Sequence, residues 1–372
     1  MFGVVGDGLA GLVAARRLRE AGREAVVFGP SDGGPPEAAF PEPVRRGDDA
    51  LLGLADDVGV AVSWGDAADA FYVDGTVHPL AAPWELVAFP YFGLYDAWRW
   101  SRLGRDGDAP GASESARERC VSRATRGVCD SVVDPLARAY AGAGAAAVDA
   151  AWFESYLAGR GERGRVDVSG LCDALRDGVD VRDARAVGLA ADAGGVESLT
   201  VETAAGGRET HDVEGVVVAG GPDVLASLTG YECDLARREA VRATVRAPDP
   251  PTSARRVVVA DDAPFDLLVR RGDGRVSTHA TVAPGENVNF LGALGSLFPD
   301  FDPGGASEVR TTRAPSVVFG PGERGVPAAS DATPGVYYAG VASESQRPAP
   351  SAGGAVRAGR AAAAAALAGV AR

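Results

Sequence analysis

The chain has 372 residues, 46% of them apolar, which is ample for two cores and too much for one small domain. Its 37 basic residues are all arginine and stand against 51 aspartates and glutamates, for a formal charge of -14. That balance excludes a nucleic-acid partner recruited by bulk charge, and no apolar run reaches the length of a membrane span.

Phe2-Gly3-Val4-Val5 reads as a short apolar strand that runs straight into Gly6-Asp7-Gly8-Leu9-Ala10-Gly11. In the helix that follows, Ala10, Ala14, Leu18 and Ala21 share one face while Arg16, Arg19 and Arg23 face away. Gly22 ends it, and Ala25 to Phe28 reads as a second strand, completing a parallel strand, glycine turn, helix, strand unit. Residues 29–43 form a Gly/Pro-rich loop, and Asp49 to Val58 is helical. Trp84, Phe89, Tyr91, Phe92, Tyr95, Trp98 and Trp100 then crowd into one segment, with Tyr91, Tyr95 and Trp98 at one-face helical spacing. Filling a helical core is the favoured reading of those three; a substrate wall or peripheral contact with a membrane surface are the others.

A mainly helical stretch from Ser113 to about Leu157 precedes a β-rich region. Its strands are Val179 to Val181, Glu197 to Thr203, Val257 to Ala260, Leu267 to Arg271 and Val276 to Val282, with a hairpin at Gly206-Gly207. Gly215 to Ala219 is a buried strand ending in the turn Gly220-Gly221-Pro222. Near the end, Gly335 to Gly340 is a strand, and Ser351-Ala352-Gly353-Gly354 opens an alanine-rich helix running toward Leu367.

In a nucleotide site the opening glycines have separate tasks. Gly6 permits the tight turn, Gly8 admits a pyrophosphate to the backbone, and Gly11 lets helix and strand pack closely. The helix start offers free N–H groups and about half a positive charge. This opening resembles the flavin fingerprint of the amine oxidase and protoporphyrinogen oxidase superfamily. The closing Ala339-Gly340 and Gly353-Gly354-Ala355 resemble its terminal flavin-contact segment. Asp74 to Leu80, Val216 to Pro222 and Arg313 to Gly322 resemble further family segments in the same order, so the likeness spans nearly the whole chain.

The resemblance implies an α/β protein with a Rossmann-type FAD-binding domain and an inserted α+β substrate domain. The divisions expected are 1–71, 166–232 and 320–372 for the first, with 72–165 and 233–319 for the second. It implies FAD as cofactor, held at Gly6, Asp7, Gly8, Leu9, Ala10, Gly11, Gly29, Gly340, Val341, Gly353, Gly354 and Ala355, and oxidation of an apolar or amine-bearing small molecule. No catalytic residue is assigned. Three positions depart from the family: Gly29 where a ribose-binding Glu is usual, Pro35 in place of an Arg after Gly33-Gly34, and Val341 in place of an Asp. Asp32 or Glu37 for the ribose, and Arg45 or Arg46 for the Arg, are the possible replacements, though each reads more simply as a surface charge. The departures also leave open a scaffold protein that has lost tight flavin binding. A nicotinamide dehydrogenase is disfavoured, because Gly29 removes its ribose ligand too.

The missing lysine and surplus carboxylates fit a salt-rich cytoplasm, where near 1 M salt the Debye length falls to about 3 Å; a coding bias is the other explanation. Cys120, Cys129, Cys172 and Cys233 are widely spaced and read as buried small hydrophobes or free thiols, and His78, His211 and His279 as structural. No metal site is expected. With a strand beginning at Phe2 and no room for a cleaved leader, a cytoplasmic protein is expected.

Overall fold

The computed structural model describes residues 1–30, 40, 44–66, 69–104, 109–160, 163–192, 194–271, 274–329 and 333–370. Its first sheet has seven strands, five of them parallel: in spatial order Asp180–Asp192, Ala25–Gly29, Phe2–Val5, Gly215–Val218 and Val336–Tyr338. Gly195–Thr203 and Arg208–Asp212 extend it as an antiparallel meander at one edge.

Every residue of the three central strands is buried, as strands covered on both faces require. Phe2, Val4, Val27 and Val217 turn toward the helices Leu9–Glu20 and Ala352–Val370. Val5, Val26, Phe28, Val216 and Val218 turn toward the helix Pro222–Thr229 and the chain around Phe319 and Tyr338. The period-two alternation of a strand thus separates two cores.

A second seven-stranded sheet is built from Ser307–Val318, Ala236–Arg246, Arg275–Val282, Leu267–Arg270, Arg256–Val259, Ala70–Val73 and Thr76–Pro79, in that spatial order. Helices between Pro83 and Ala158 pack on one of its faces around Phe89, Trp100, Leu136 and Phe153. The helix Phe290–Leu297 closes the other around Val241, Leu268 and Phe298. A small third sheet pairs Arg163–Val166 with Val44–Arg45 and Val62–Asp66.

The aromatic segment corrects one expectation. Phe89, Phe92 and Trp100 fill the core, but Tyr91, Tyr95 and Trp98 do not: they stand outward with Trp84, Val87 and Leu94, Trp84 being 73% and Leu94 76% exposed. Tyr95 stacks on Trp98, and the Arg102 guanidinium lies 4.9 Å from the Trp98 ring. Helical spacing fixes which residues share a face, not which face is covered; in Pro83–Ala88 and Leu94–Arg102 Leu86, Ala97 and Trp100 turn inward while Trp84, Val87, Leu94, Tyr95 and Trp98 look outward. Among the described residues no helix is long and apolar enough to cross a membrane.

Candidate functional site

The parallel strands of the first sheet deliver four turns to one edge, after Val5, Gly29, Val218 and Tyr338. This is the carboxyl edge of an open parallel sheet, where the chain moves from one neighbour of the first strand to the other and leaves a crevice. Glycine makes the crowding there possible. Gly6 adopts φ +109°, closed to other side chains in practice, and a Cβ on Gly11 would overlap the Gly6 carbonyl. Likewise a Cβ on Gly340 would overlap the carbonyl of Gly220.

Gly8 occupies the N-cap of Leu9–Glu20 in extended conformation, without a side-chain cap, and the first turn carries no acid. The amides of Leu9, Ala10 and Gly11 therefore remain uncovered by side chain at the positive end of the helix, the arrangement that suits a phosphate.

Gly29 ends the second strand, as expected, and a carboxylate does stand beside it. A Cβ on Gly29 would lie 2.6 Å from Asp7 Oδ1 and 2.7 Å from Asp7 Cβ. Arg176, at the end of the helix Val168–Arg176, fixes that carboxylate by donating from Nη2 to Asp7 Oδ2 over 2.7 Å. The possible ribose ligands Asp32 and Glu37, with Gly33, Gly34 and Pro35, lie outside the described residues. Val341 is half-buried against the core containing Tyr338 and Ala342 and offers no polar group.

At the far side of the crevice begins the helix Ala352–Val370. Ser351 Oγ accepts from Gly354 N over 2.9 Å, and the buried Gln346 accepts from Ser351 N over 3.0 Å. Side chains at Gly353 and Gly354 would collide with the Asp48 carboxylate and the Gln346 amide. A cavity of about 240 Å³ opens here, bounded by Arg45, Asp48, Trp152, Ser155, Ser351 and Arg357. Burial pushes the Asp48 carboxyl above its usual range, against the pull of Arg357 at 3.8 Å. Trp152 is buried with no hydrogen-bond partner for its Nε1 among the described residues.

Behind Trp152 lies a buried ionic knot. Trp152 stacks on Tyr156 at 5.7 Å, and Tyr156 and Tyr140 both donate to Asp69, which also binds Arg163 at 2.7 Å and Arg256 at 3.1 Å. Burial alone would raise the Asp69 carboxyl; Arg163 and Arg256 outweigh it and hold the group below its ordinary value of 3.8. The knot joins the second sheet, through Arg256 and through Asp69 just before the strand Ala70–Val73, to the third, through Arg163.

The structure thus places Gly6, Asp7, Gly8, Leu9, Ala10, Gly11, Gly29 and Gly340 at one sheet edge, with Gly353, Gly354 and Ala355 opening the helix beside it. Of the two arginines named as possible replacements for the lost Arg and read more simply as surface charges, Arg45 reaches the cavity and donates to the Ser155 carbonyl, whereas Arg46 lies over Trp64. Sequence reasoning missed Asp48, Trp152 and Ser155. Asp48 carries a local signal only as the N-cap of Asp49–Asp57, and the other two sit in an unremarkable helix.

The chain matches no protein-family model and no curated protein sequence. Solved structures do match over its full length. A putrescine oxidase bound to putrescine shares 16% identity with TM-score 0.67, covering 99% of this chain and 98% of its own. An oxidoreductase from Methanosarcina mazei shares 15% with TM-score 0.69, covering 96% and 98%. Cyclohexylamine oxidase from Brevibacterium oxydans shares 14% with TM-score 0.64, covering 100% and 99%. These likenesses show the fold: an α/β architecture of the amine oxidase type, a Rossmann-type sheet with a second, inserted sheet region, as the sequence motifs implied.

Proposed function

We propose that the protein is an FAD-dependent oxidoreductase acting on an apolar or amine-bearing small molecule. One observation carries this reading: a phosphate-ready glycine turn and the start of a second, glycine-opened helix converge on one sheet edge beside a cavity. The uncapped amides of Leu9 to Gly11 would hold the pyrophosphate, and the Ser351–Gly354 helix start would face the electron-rich end of the flavin ring. When bound, FAD supplies the redox chemistry by accepting hydride from the substrate.

The chain's own residues supply placement and exclusion of water. Trp152 walls the cavity on one side, and the ionic knot behind it, through Tyr156, backs that wall. The solved relatives that act on putrescine and cyclohexylamine support an amine in particular. In this reading the residues 1–71, 166–232 and 320–372 form the FAD-binding part, and 72–165 with 233–319 the substrate part. The protein works in a salt-rich cytoplasm, and the exposed aromatic face of Pro83–Arg102 rests on a lipid–water interface. That surface suits such a partner because the two acids of its helices, Glu85 and Asp96, fold back onto the amides of Ala82 and Gly93, leaving Arg102 beside Trp98.

The test of the chemistry is anaerobic addition of a small aliphatic amine, such as putrescine or cyclohexylamine, to the FAD-loaded protein. Bleaching of the flavin's visible absorbance is expected. A flavin that stays oxidised with amines, and with apolar alcohols as controls, argues against the oxidoreductase reading.

A further inference from the structure

A nucleotide whose pyrophosphate sits on a glycine turn usually gives its adenosine ribose to a carboxylate at the end of the next strand, where two hydroxyl donors need an acceptor. In this chain that strand ends in Gly29, which has no side chain to offer. The space a side chain would enter is filled from the glycine turn itself: Asp7 Oδ1 and Cβ lie 2.6 and 2.7 Å from where a Gly29 Cβ would stand. Asp7 is also fixed in place. Arg176 binds its Oδ2 at 2.7 Å, while no hydrogen bond within the described protein engages its Oδ1.

Resting on the nucleotide reading above, the geometry points to Asp7 as the ribose acceptor of this site, the carboxylate having moved from the strand end to the turn. The ligand class is an adenine nucleotide with free 2′ and 3′ hydroxyls and a pyrophosphate. Gly29 is then required because the transposed carboxylate occupies its side-chain space. Arg176 is a positioning residue, holding one oxygen while the other lies beside Gly29 at the end of the second strand. Its charge also offsets the repulsion between Asp7 and a pyrophosphate on the same turn.

The experiment is calorimetric titration of the full chain in molar salt with FAD, ADP and 2′,3′-dideoxy-ADP. The variants are D7A, D7N, G29E and the double variant D7A/G29E, with thermal melts to establish folding. The wild type is expected to bind ADP at least about tenfold more tightly than its dideoxy analogue, as hydrogen bonds to a charged acceptor imply. D7A should lose that discrimination, and D7N should keep only part of it. G29E alone should bind more weakly, since its side chain meets Asp7, whereas D7A/G29E should recover the discrimination by returning the carboxylate to the strand.

A D7A protein that folds and discriminates as well as wild type, or that binds ADP more tightly, overturns the assignment of Asp7 while leaving nucleotide binding intact. A wild type that binds neither FAD nor ADP overturns the nucleotide reading, and this inference with it. Should D7A fail to fold, D7N decides the matter: undiminished discrimination by D7N combined with none recovered in D7A/G29E overturns the assignment.

Discussion

Gly359 of the C-terminal helix lies directly against the carbonyl of Ala10 in the first helix, so closely that a methyl group at residue 359 would overlap it. The two helices that open and close the chain are therefore locked together one turn below the glycine turn. Whatever sets their separation also sets the distance between the two helix starts at the crevice.

Gly359→Ala should push the helices apart and cost about 1 to 3 kcal/mol, the usual range for overpacking, with Gly359→Val worse. Denaturant unfolding measures this. The same variants should bind FAD more weakly even where folded. Unchanged stability in Gly359→Ala would mean that the helices yield easily and do not set the site's width.

The ionic knot makes a second prediction. Asp69→Asn leaves Arg163 and Arg256 buried without their carboxylate, and removing one partner of such a set costs about 3 to 5 kcal/mol. The pH dependence follows from the lowered folded-state value. The stabilisation from Asp69 is complete above its ordinary value of 3.8 and is lost as pH falls below that through the depressed folded value. Acid unfolding of wild type should therefore include a component below about pH 4 that is missing in Asp69→Asn. Identical acid limbs would remove Asp69 from the account of stability.

A formal charge of -14 repels itself when unscreened, so the thermal midpoint should rise between dilute buffer and molar salt. A melt that ignores salt would leave coding bias as the better explanation of a chain without lysine.

The outward aromatic face should matter for partition and not for folding. In a vesicle flotation assay in molar salt, wild type should float with phospholipid vesicles, and Trp84→Ser/Leu94→Ser/Trp98→Ser should not, with both melting alike. A wild type that stays at the bottom, or one that elutes as a dimer dissociated by the same substitutions, would contradict the lipid surface and point to a second copy of the chain.

The opening unit was legible because its information is local: an apolar run, the three glycines Gly6, Gly8 and Gly11 and a helical period all lie within the first 28 residues. The closing strand and helix were legible for the same reason. The strands Ala236–Arg246 and Ser307–Val318 were not, since their exposed stretches carry arginines in an irregular pattern and it is pairing with each other, and of the first with Arg275–Val282, that makes them strands. The position of Tyr91, Tyr95 and Trp98 was misread because Tyr91 lies in the turn before Leu94–Arg102, and because the spacing of Tyr95 and Trp98 tells that they share a face, not which face is covered. Asp7 was singled out for its place in the turn. Its contact with Gly29 and Arg176 depends on chain segments that meet only in the fold.

The central claim is that the glycine turn and the C-terminal helix start hold FAD together. The most direct measurement is gel filtration of the full chain in molar salt after incubation with FAD, read by visible absorbance, for wild type and Gly8→Val. Flavin absorbance should travel with the wild-type protein and be absent from Gly8→Val, whose branched side chain would occupy the pyrophosphate's place, while both proteins melt at similar temperatures. Contradiction would be a colourless wild-type peak with all the FAD in the small-molecule fraction, or a Gly8→Val protein that carries as much flavin as wild type.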